Sequence, residues 1–271
     1  SGLLIRWSRV RIADDPPFYN LLSDVLMGIF CFMLTEYTIY KTMQQKLLHP
    51  ANFHVRMISN TLSTSTMFKF YNQYIFPPIL NQVMQTPSLM DARRELLLAV
   101  HGDVLEIGFG TGINLPFYSG IDTLYALEPS PHVLKLAESR FSQANFEIRH
   151  LQTGAEAIPL ATASISNIIS TWTMCSIPQI QQALTEIHRV LSDDGTFHFI
   201  EHVLSDQANI QRWQNRFNPI QKKLADGCNL NRNIEQLILD AGFEFVEKRY
   251  FNAQGIPTIG HRMLLGRVKK R

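Results

Sequence analysis

The chain has 271 residues, of which 45% are hydrophobic and 18% charged, with 25 Lys and Arg against 23 Asp and Glu. That composition excludes a mainly disordered chain, and a net charge of +2 mixed along the sequence excludes the concentrated basic face that a nucleic-acid partner requires. Three widely spaced cysteines, Cys31, Cys175 and Cys228, do not form a disulfide framework and point to a reducing, cytoplasmic setting.

Ser1-Gly2 reads as the remnant of a cleaved tag, and no stretch behind it has the order of a secretory signal. After Pro16-Pro17, the residues Phe18, Leu21, Leu22, Val25, Leu26, Ile29, Phe30 and Met33 recur at intervals of three and four, which predicts a helix ending by His49-Pro50. Its most apolar run, Val25 to Leu34, is about half of the ~20 residues that a membrane span needs, so no transmembrane helix is expected. A second helix is predicted from Phe53 to Tyr74, interrupted by Pro77-Pro78. A short third one, Leu89 to Ala99, is charged on one side through Asp91, Arg93, Arg94 and Glu95. Residues 1–100 therefore read as an all-helical extension. Its aromatic cluster, Phe68, Phe70, Tyr71, Tyr74 and Phe76, fits either an apolar ligand wall or packing within the extension. Phe18 to Met43, with Arg6, Arg9 and Arg11 before it, is alternatively a helix lying on a membrane surface, a peripheral contact.

The period changes at His101. Val104–Ile107, Thr123–Leu127, Phe146–Leu151, Ile165–Thr171 and Thr196–Val203 are short apolar runs of the kind found in buried parallel strands. Between them lie the helical patterns His132–Phe141 and Ile180–Leu191, the latter with Ser176 as N-cap, and Asp193-Asp194-Gly195 reads as a turn. A helix from Ile234 to Asp240, stopped by Gly242, precedes two further strands, Phe243–Phe251 and Thr258–Val268, expected to close the sheet as an antiparallel pair. Strands alternating with helices make residues 101–271 an α/β domain with a mostly parallel sheet.

The sharpest motif is Glu106-Ile107-Gly108-Phe109-Gly110-Thr111-Gly112, directly after the first strand. Glycines belong where a backbone turns tightly or must let a ligand touch it. The dinucleotide pattern G-x-G-x-x-G would need a small residue where Ile113 stands, and a Walker loop would need a Lys that is absent after Gly112. A structural turn remains as the plain alternative. Glu128, at the end of the next strand, stands close to the ~20-residue separation at which an acid reaches an adenosine ribose.

The E-x-G-x-G-x-G string resembles that of the class I S-adenosylmethionine (SAM) dependent methyltransferases. The resemblance implies a Rossmann-like fold with a mostly parallel seven-stranded sheet, SAM as cofactor and S-adenosylhomocysteine as product. It further implies that Glu106, Gly108, Phe109, Gly110, Gly112 and Asn114 surround the methionine part, that Glu128 and Pro129 serve the ribose, and that Ala155 and Glu156 lie on the adenine side. Gly154 stands where the family usually has Asp or Asn. Thr171 is placed beside the reacting methyl group, and the helices before the domain cover the substrate pocket.

A narrower likeness runs through Ser170-Thr171-Trp172-Thr173-Met174-Cys175-Ser176, Glu186–Leu191, Phe199-Ile200-Glu201-His202-Val203 and Asp226-Gly227-Cys228-Asn229-Leu230. These resemble the thiol-methyltransferase-like branch, related to the ubiquinone and menaquinone C-methyltransferases. That branch implies a small, apolar methyl acceptor, thiol first, with a quinone-like carbon or a lipid amine as alternatives, or a silent SAM-binding module. It also implies membrane association through an N-terminal hydrophobic helix, the end at which this chain departs from the pattern. Trp172, Glu201 and His202 are the substrate-facing candidates. His202 is either a base or guide, or a strand-end histidine bonded to backbone. Cys175 and Cys228 read as small buried apolar residues. No metal site is expected: only His198 and His202 are close in sequence, and on a strand they stand ~13 Å apart. The oligomeric state is left open, and Arg267, Lys269, Lys270 and Arg271 read as a solvated tail.

Overall fold

The computed structural model describes residues 76–142 and 144–271, within a unit that runs from Ser63 to Arg271. The helices predicted at 16–50 and 53–74, and the aromatic cluster with them, lie outside the described residues.

Two helices come first, α1 (Phe76–Val83) and α2 (Pro87–Leu97). There follow β1 (Gly102–Ile107), β2 (Ile121–Leu127), α3 (Pro131–Phe141), β3 (Glu147–Leu151), β4 (Ile165–Thr171) and α4 (Ile180–Val190). The chain ends with β5 (Leu191–His202), α5 (Ala208–Leu224), α6 (Ile234–Asp240), β6 (Phe243–Asn252) and β7 (Arg262–Lys270). The seven strands form one sheet in the order β3-β2-β1-β4-β5-β7-β6. The first five pair in parallel, while β7 inserts antiparallel between β5 and β6. Successive strands step outward from β1 to β3, then the chain returns to the other side of β1 with β4. That reversal opens a crevice beyond the carboxyl ends of β1 and β4, the place where ligands bind in such sheets.

Strand alternation sends residues to two cores. Leu105, Ile107, Ile168, Phe197 and Phe199 pack with α4 and α6 on one face; Val104, Leu124, Ile169 and Ile200 pack with α2 and α3 on the other. α4 buries Ile180, Ala183, Leu184, Ile187 and Val190, a stripe at helical spacing against the sheet. α2 buries Leu89, Ala92, Leu96 and Leu97, so its apolar face belongs to the α/β unit. An extension ending at residue 100 is thus too long: α2 is part of the packed domain.

Three local expectations need correction, while Pro77-Pro78 lies inside α1 and the stretch before it is outside the described residues. α4 begins after Gln179, so Ser176 is not its N-cap. Asp193-Asp194-Gly195 is absorbed into β5 as an irregularity, with Leu191 opposite Ile165 and Thr196 opposite Asn167. The last strand starts at Arg262, not at Thr258.

Candidate active site

The loop after β1 is built on glycines with positive φ: Gly108 at 69°, Gly110 at 60° and Gly112 at 73°. They differ in what surrounds them. A Cβ on Gly108 would lie 2.2 Å from Thr173 Oγ1, and one on Gly112 would lie 3.1 Å from Leu115 and Phe109. Among the described residues, a Cβ on Gly110 would meet only the Gly108 carbonyl, at 3.7 Å, so these leave the space over Gly110 open to a ligand. Phe109 turns inward, 2% exposed, against Phe141 and His150, and therefore offers the crevice main chain only. Gly108 N and Phe109 N both donate to Leu127 O, at 2.9 and 3.0 Å, which ties the loop to the end of β2.

Glu128 completes this edge. Its carboxylate accepts from Gly110 N at 3.0 Å and from Ser130 N at 2.9 Å, and so leans over the glycine loop from the neighbouring strand. Two acceptor directions remain for an outside pair of hydroxyls. Burial raises its pKa, with the two backbone N–H groups opposing. Pro129 is exposed, and Ser130 caps α3. On the adenine side, Ala155 is buried in the core and Glu156 folds back over Gly154, its Oε2 2.5 Å from where a Cβ of residue 154 would stand. An Asp or Asn at 154 would have to displace that carboxylate.

Behind the loop lies a buried polar network. Glu106, fully enclosed, accepts from Asn114 Nδ2 at 2.9 Å and Tyr118 Oη at 2.7 Å. Arg93 of α2 donates to Asn114 Oδ1 at 2.6 Å and Thr171 Oγ1 at 2.9 Å, and its guanidinium sits 4.5 Å from the Trp172 ring centroid. Glu106, Asn114 and Thr171 are thereby brought together at the crevice floor, where they fix the loop and the end of β4.

At the far end, Trp172 adopts φ 54°, a left-handed conformation that side chains rarely take. Its N–H donates to Ile200 O at 2.8 Å and its ring N–H points to Met263 Sδ. Glu201 is fully buried and accepts from three successive backbone donors, Thr173 N at 2.7 Å, Met174 N at 2.8 Å and Cys175 N at 3.4 Å. It shapes the turn after β4 and does not face a substrate directly. His202 Nε2 lies 3.1 Å from Cys228 Sγ, so the strand-end histidine bonds to a thiol and not to backbone.

Residues 105–199 match the model of a methyltransferase domain family. Thiol S-methyltransferase TMT1A of Homo sapiens is 31% identical over 156 residues, 55% of this chain and 63% of that protein. Thiol S-methyltransferase TMT1B of Homo sapiens is 29% identical over 193 residues, 65% of this chain and 75% of that one. A SAM-dependent methyltransferase of Leishmania major shares the fold with a TM-score of 0.55 at 15% identity, covering 76% of this chain and 82% of that one. Residues 105–199 carry a methyltransferase domain of the class I fold, and the chain is similar to the thiol S-methyltransferases. The chain spans less than two-thirds of the length of TMT1A.

Two observations fit the cofactor that the resemblance implies: the open face of Gly110 and the carboxylate of Glu128 turned onto it. The sequence pattern placed both. It missed Arg93, expected on an exposed charged side but only 3% exposed, and it missed Tyr118. It also missed the meeting of Cys175, His202 and Cys228, which come from three separate segments.

Burial pushes the Glu106 carboxyl up to about 7, with Tyr118, Arg93 and Asn114 holding it down, and lowers Arg93 to about 10. Burial also raises Glu201 to about 7. An acid raised in the folded state stabilises the fold below its unfolded pKa and loses that contribution as pH rises through about 7. Glu106→Gln is therefore expected to gain melting temperature relative to wild type as pH goes from about 5 to about 8. Parallel thermal melts check this; a constant difference contradicts it.

Proposed function

We propose that this protein transfers a methyl group from SAM to a small, apolar acceptor, a thiol before a quinone-like carbon or a lipid amine. The observation that carries the proposal is the Glu128 carboxylate held 3.0 Å from the Gly110 N–H, over a loop whose middle glycine is open to a ligand. Gly108, Gly110 and Gly112 would carry the amino-acid part of the cofactor, Glu128 the ribose hydroxyls, and the segment at Ala155 and Glu156 the adenine. Bound there, SAM supplies an electrophilic methyl group on a leaving sulfonium.

The rest falls to the protein's own residues. Glu106, Asn114, Tyr118 and Arg93 keep the loop rigid from below. Positioning of this kind is worth ~7–11 kcal/mol when two reactants are well aligned. Trp172, held left-handed and covered by Arg93, forms a dry wall at the end of β4. A thiol has a pKa of about 8.5, so a modest cationic field suffices to produce the nucleophilic thiolate. Arg232, whose guanidinium donates to Ile177 O at 2.7 Å and also binds Met174 O, brings a positive charge next to the Cys175 turn. The likeness to thiol S-methyltransferases supports the preference for sulfur.

The expectation of a cover or a peripheral membrane contact rests on residues outside the described part. Among the described residues no helix is long and apolar enough to cross a membrane.

Incubation with methyl-labelled SAM and a panel of a small alkyl thiol, a phenol, a quinone and a lipid amine tests the proposal. Label is expected on the thiol sulfur first. Label on the quinone or the amine alone would reassign the acceptor, and SAM binding without transfer to any member would make the domain a binding module.

A further inference from the structure

Three soft donors converge beyond the ends of β4 and β5. Cys175 lies in the turn after β4, His202 is the last residue of β5, and Cys228 lies in the loop between α5 and α6. One ligand atom from each lies within 4.8 Å of the other two. Cys175 and His202 are 2% and 8% exposed, and both described cysteines are free thiols.

The surroundings hold the three in place. Glu201 fixes the Cys175 turn through three N–H groups. Asn229 ties the Cys228 loop to that turn, because its N–H and its side-chain amide both donate to Cys175 O, at 3.0 and 2.9 Å. Arg232 clasps the same turn through Met174 O and Ile177 O. On His202 only Nε2 has a partner, the Cys228 sulfur at 3.1 Å, while the buried Nδ1 has none among the described residues. A thiol–imidazole pair accounts for two of the three donors. It does not account for a second thiol brought to the same buried spot.

Two thiols and an imidazole are a donor set for a borderline-soft cation, unlike the oxygen sets that hold calcium or magnesium. Four-coordinate zinc, with bonds of about 2.3 Å to sulfur and about 2.0–2.1 Å to nitrogen, places neighbouring donors about 3.5–3.8 Å apart. The observed cluster brackets that spacing: His202 Nε2 and Cys228 Sγ stand 3.1 Å apart, and no pair of the three donors exceeds 4.8 Å. Two thiolates and a neutral imidazole balance a dication.

We propose that Cys175, His202 and Cys228 form a three-ligand site for a divalent cation of the zinc class, leaving one coordination position for an acceptor thiol. The acceptor part rests on the methyl-transfer function proposed above; the cation site does not. A thiol taking the fourth position loses its proton to solvent, since metal coordination deprotonates it. The activated sulfur then forms its bond to the methyl carbon as the bond from that carbon to the adenosyl sulfonium breaks, and the resulting neutral thioether is a weaker ligand that leaves.

The test uses the reduced full chain carrying Cys31→Ser, so that two thiols remain, titrated anaerobically with cobalt(II) alone. One cobalt per chain is expected, with a thiolate charge-transfer band and the visible bands of a tetrahedral site, both bleached by zinc. Cys175→Ser and Cys228→Ser should each weaken cobalt binding at least tenfold and reduce the charge-transfer band. His202→Gln should weaken binding while leaving that band. Circular dichroism and melting curves establish that each variant is folded. Absence of the band in the reduced, folded protein overturns the site, as does binding that survives loss of both cysteines. A Cys175–Cys228 disulfide formed under mild peroxide by a protein that binds no cobalt when reduced identifies a redox pair instead. Adding the small alkyl thiol should shift the visible bands; unchanged spectra with an intact cobalt site would remove the acceptor part alone.

Discussion

Gly110→Arg is expected to weaken SAM binding more than about 100-fold, equivalent to about 2.7 kcal/mol, in calorimetric titration. The side chain would grow from a φ of 60° into a part of the loop that the described residues leave open. The fold should survive, because a Cβ there meets nothing closer than 3.7 Å among the described residues and the left-handed backbone costs only about 1–2 kcal/mol. Gly108→Ala separates the two effects from the other side. Its methyl would collide with Thr173 and destabilise the domain itself. Glu128→Ala should reduce affinity about tenfold to a hundredfold, the loss of one or two hydrogen bonds to a charged group. Near-normal affinity in Gly110→Arg and Glu128→Ala together would remove the cofactor site from this crevice.

Arg93→Met is expected to cost about 3–5 kcal/mol of stability, since it removes one member of a buried charged network and leaves the other uncompensated. Arg93 is 3% exposed and hydrogen-bonds Asn114 and Thr171, while Asn114 in turn holds Glu106. For a unit of this size the melting temperature should fall by about 10 °C. The double variant Arg93→Met, Glu106→Gln should recover part of the loss, because it no longer buries an acid that has lost its counter-charge. Strict additivity of the two single changes would show that the residues are not coupled.

Much of this molecule was legible from residue order. β1 and β4 are buried on both faces over their last four residues, so they stand out as short apolar runs, and α4 announces itself by one stripe at helical spacing. The glycine loop and Glu128 were legible because positive φ and the reach from one strand end to the next impose residue type and separation. α5 was not. Its sequence ANIQRWQNRFNPIQKKL buries only Ile210 and Gln214 and carries Pro219 inside, so no apolar stripe marks 17 residues of helix. Arg93 was hidden in a charged run whose neighbours, Asp91 and Arg94, form an ion pair in solvent, and only tertiary packing turns it inward. The Cys175, His202 and Cys228 cluster was illegible for a different reason. Sequence spacing reveals ligand sets that share a helix or hairpin, whereas this one is assembled by the parallel order of β4 and β5 and the loop after α5.

The most direct measurement is a crystal structure of the protein with S-adenosylhomocysteine. The account predicts both ribose hydroxyls within about 3 Å of the Glu128 carboxylate, the ordinary hydrogen-bond distance, and the amino-acid part lying over Gly108 to Gly112. An adenosyl group bound elsewhere, with Glu128 still turned onto the Gly110 N–H and touching no ligand, would contradict it.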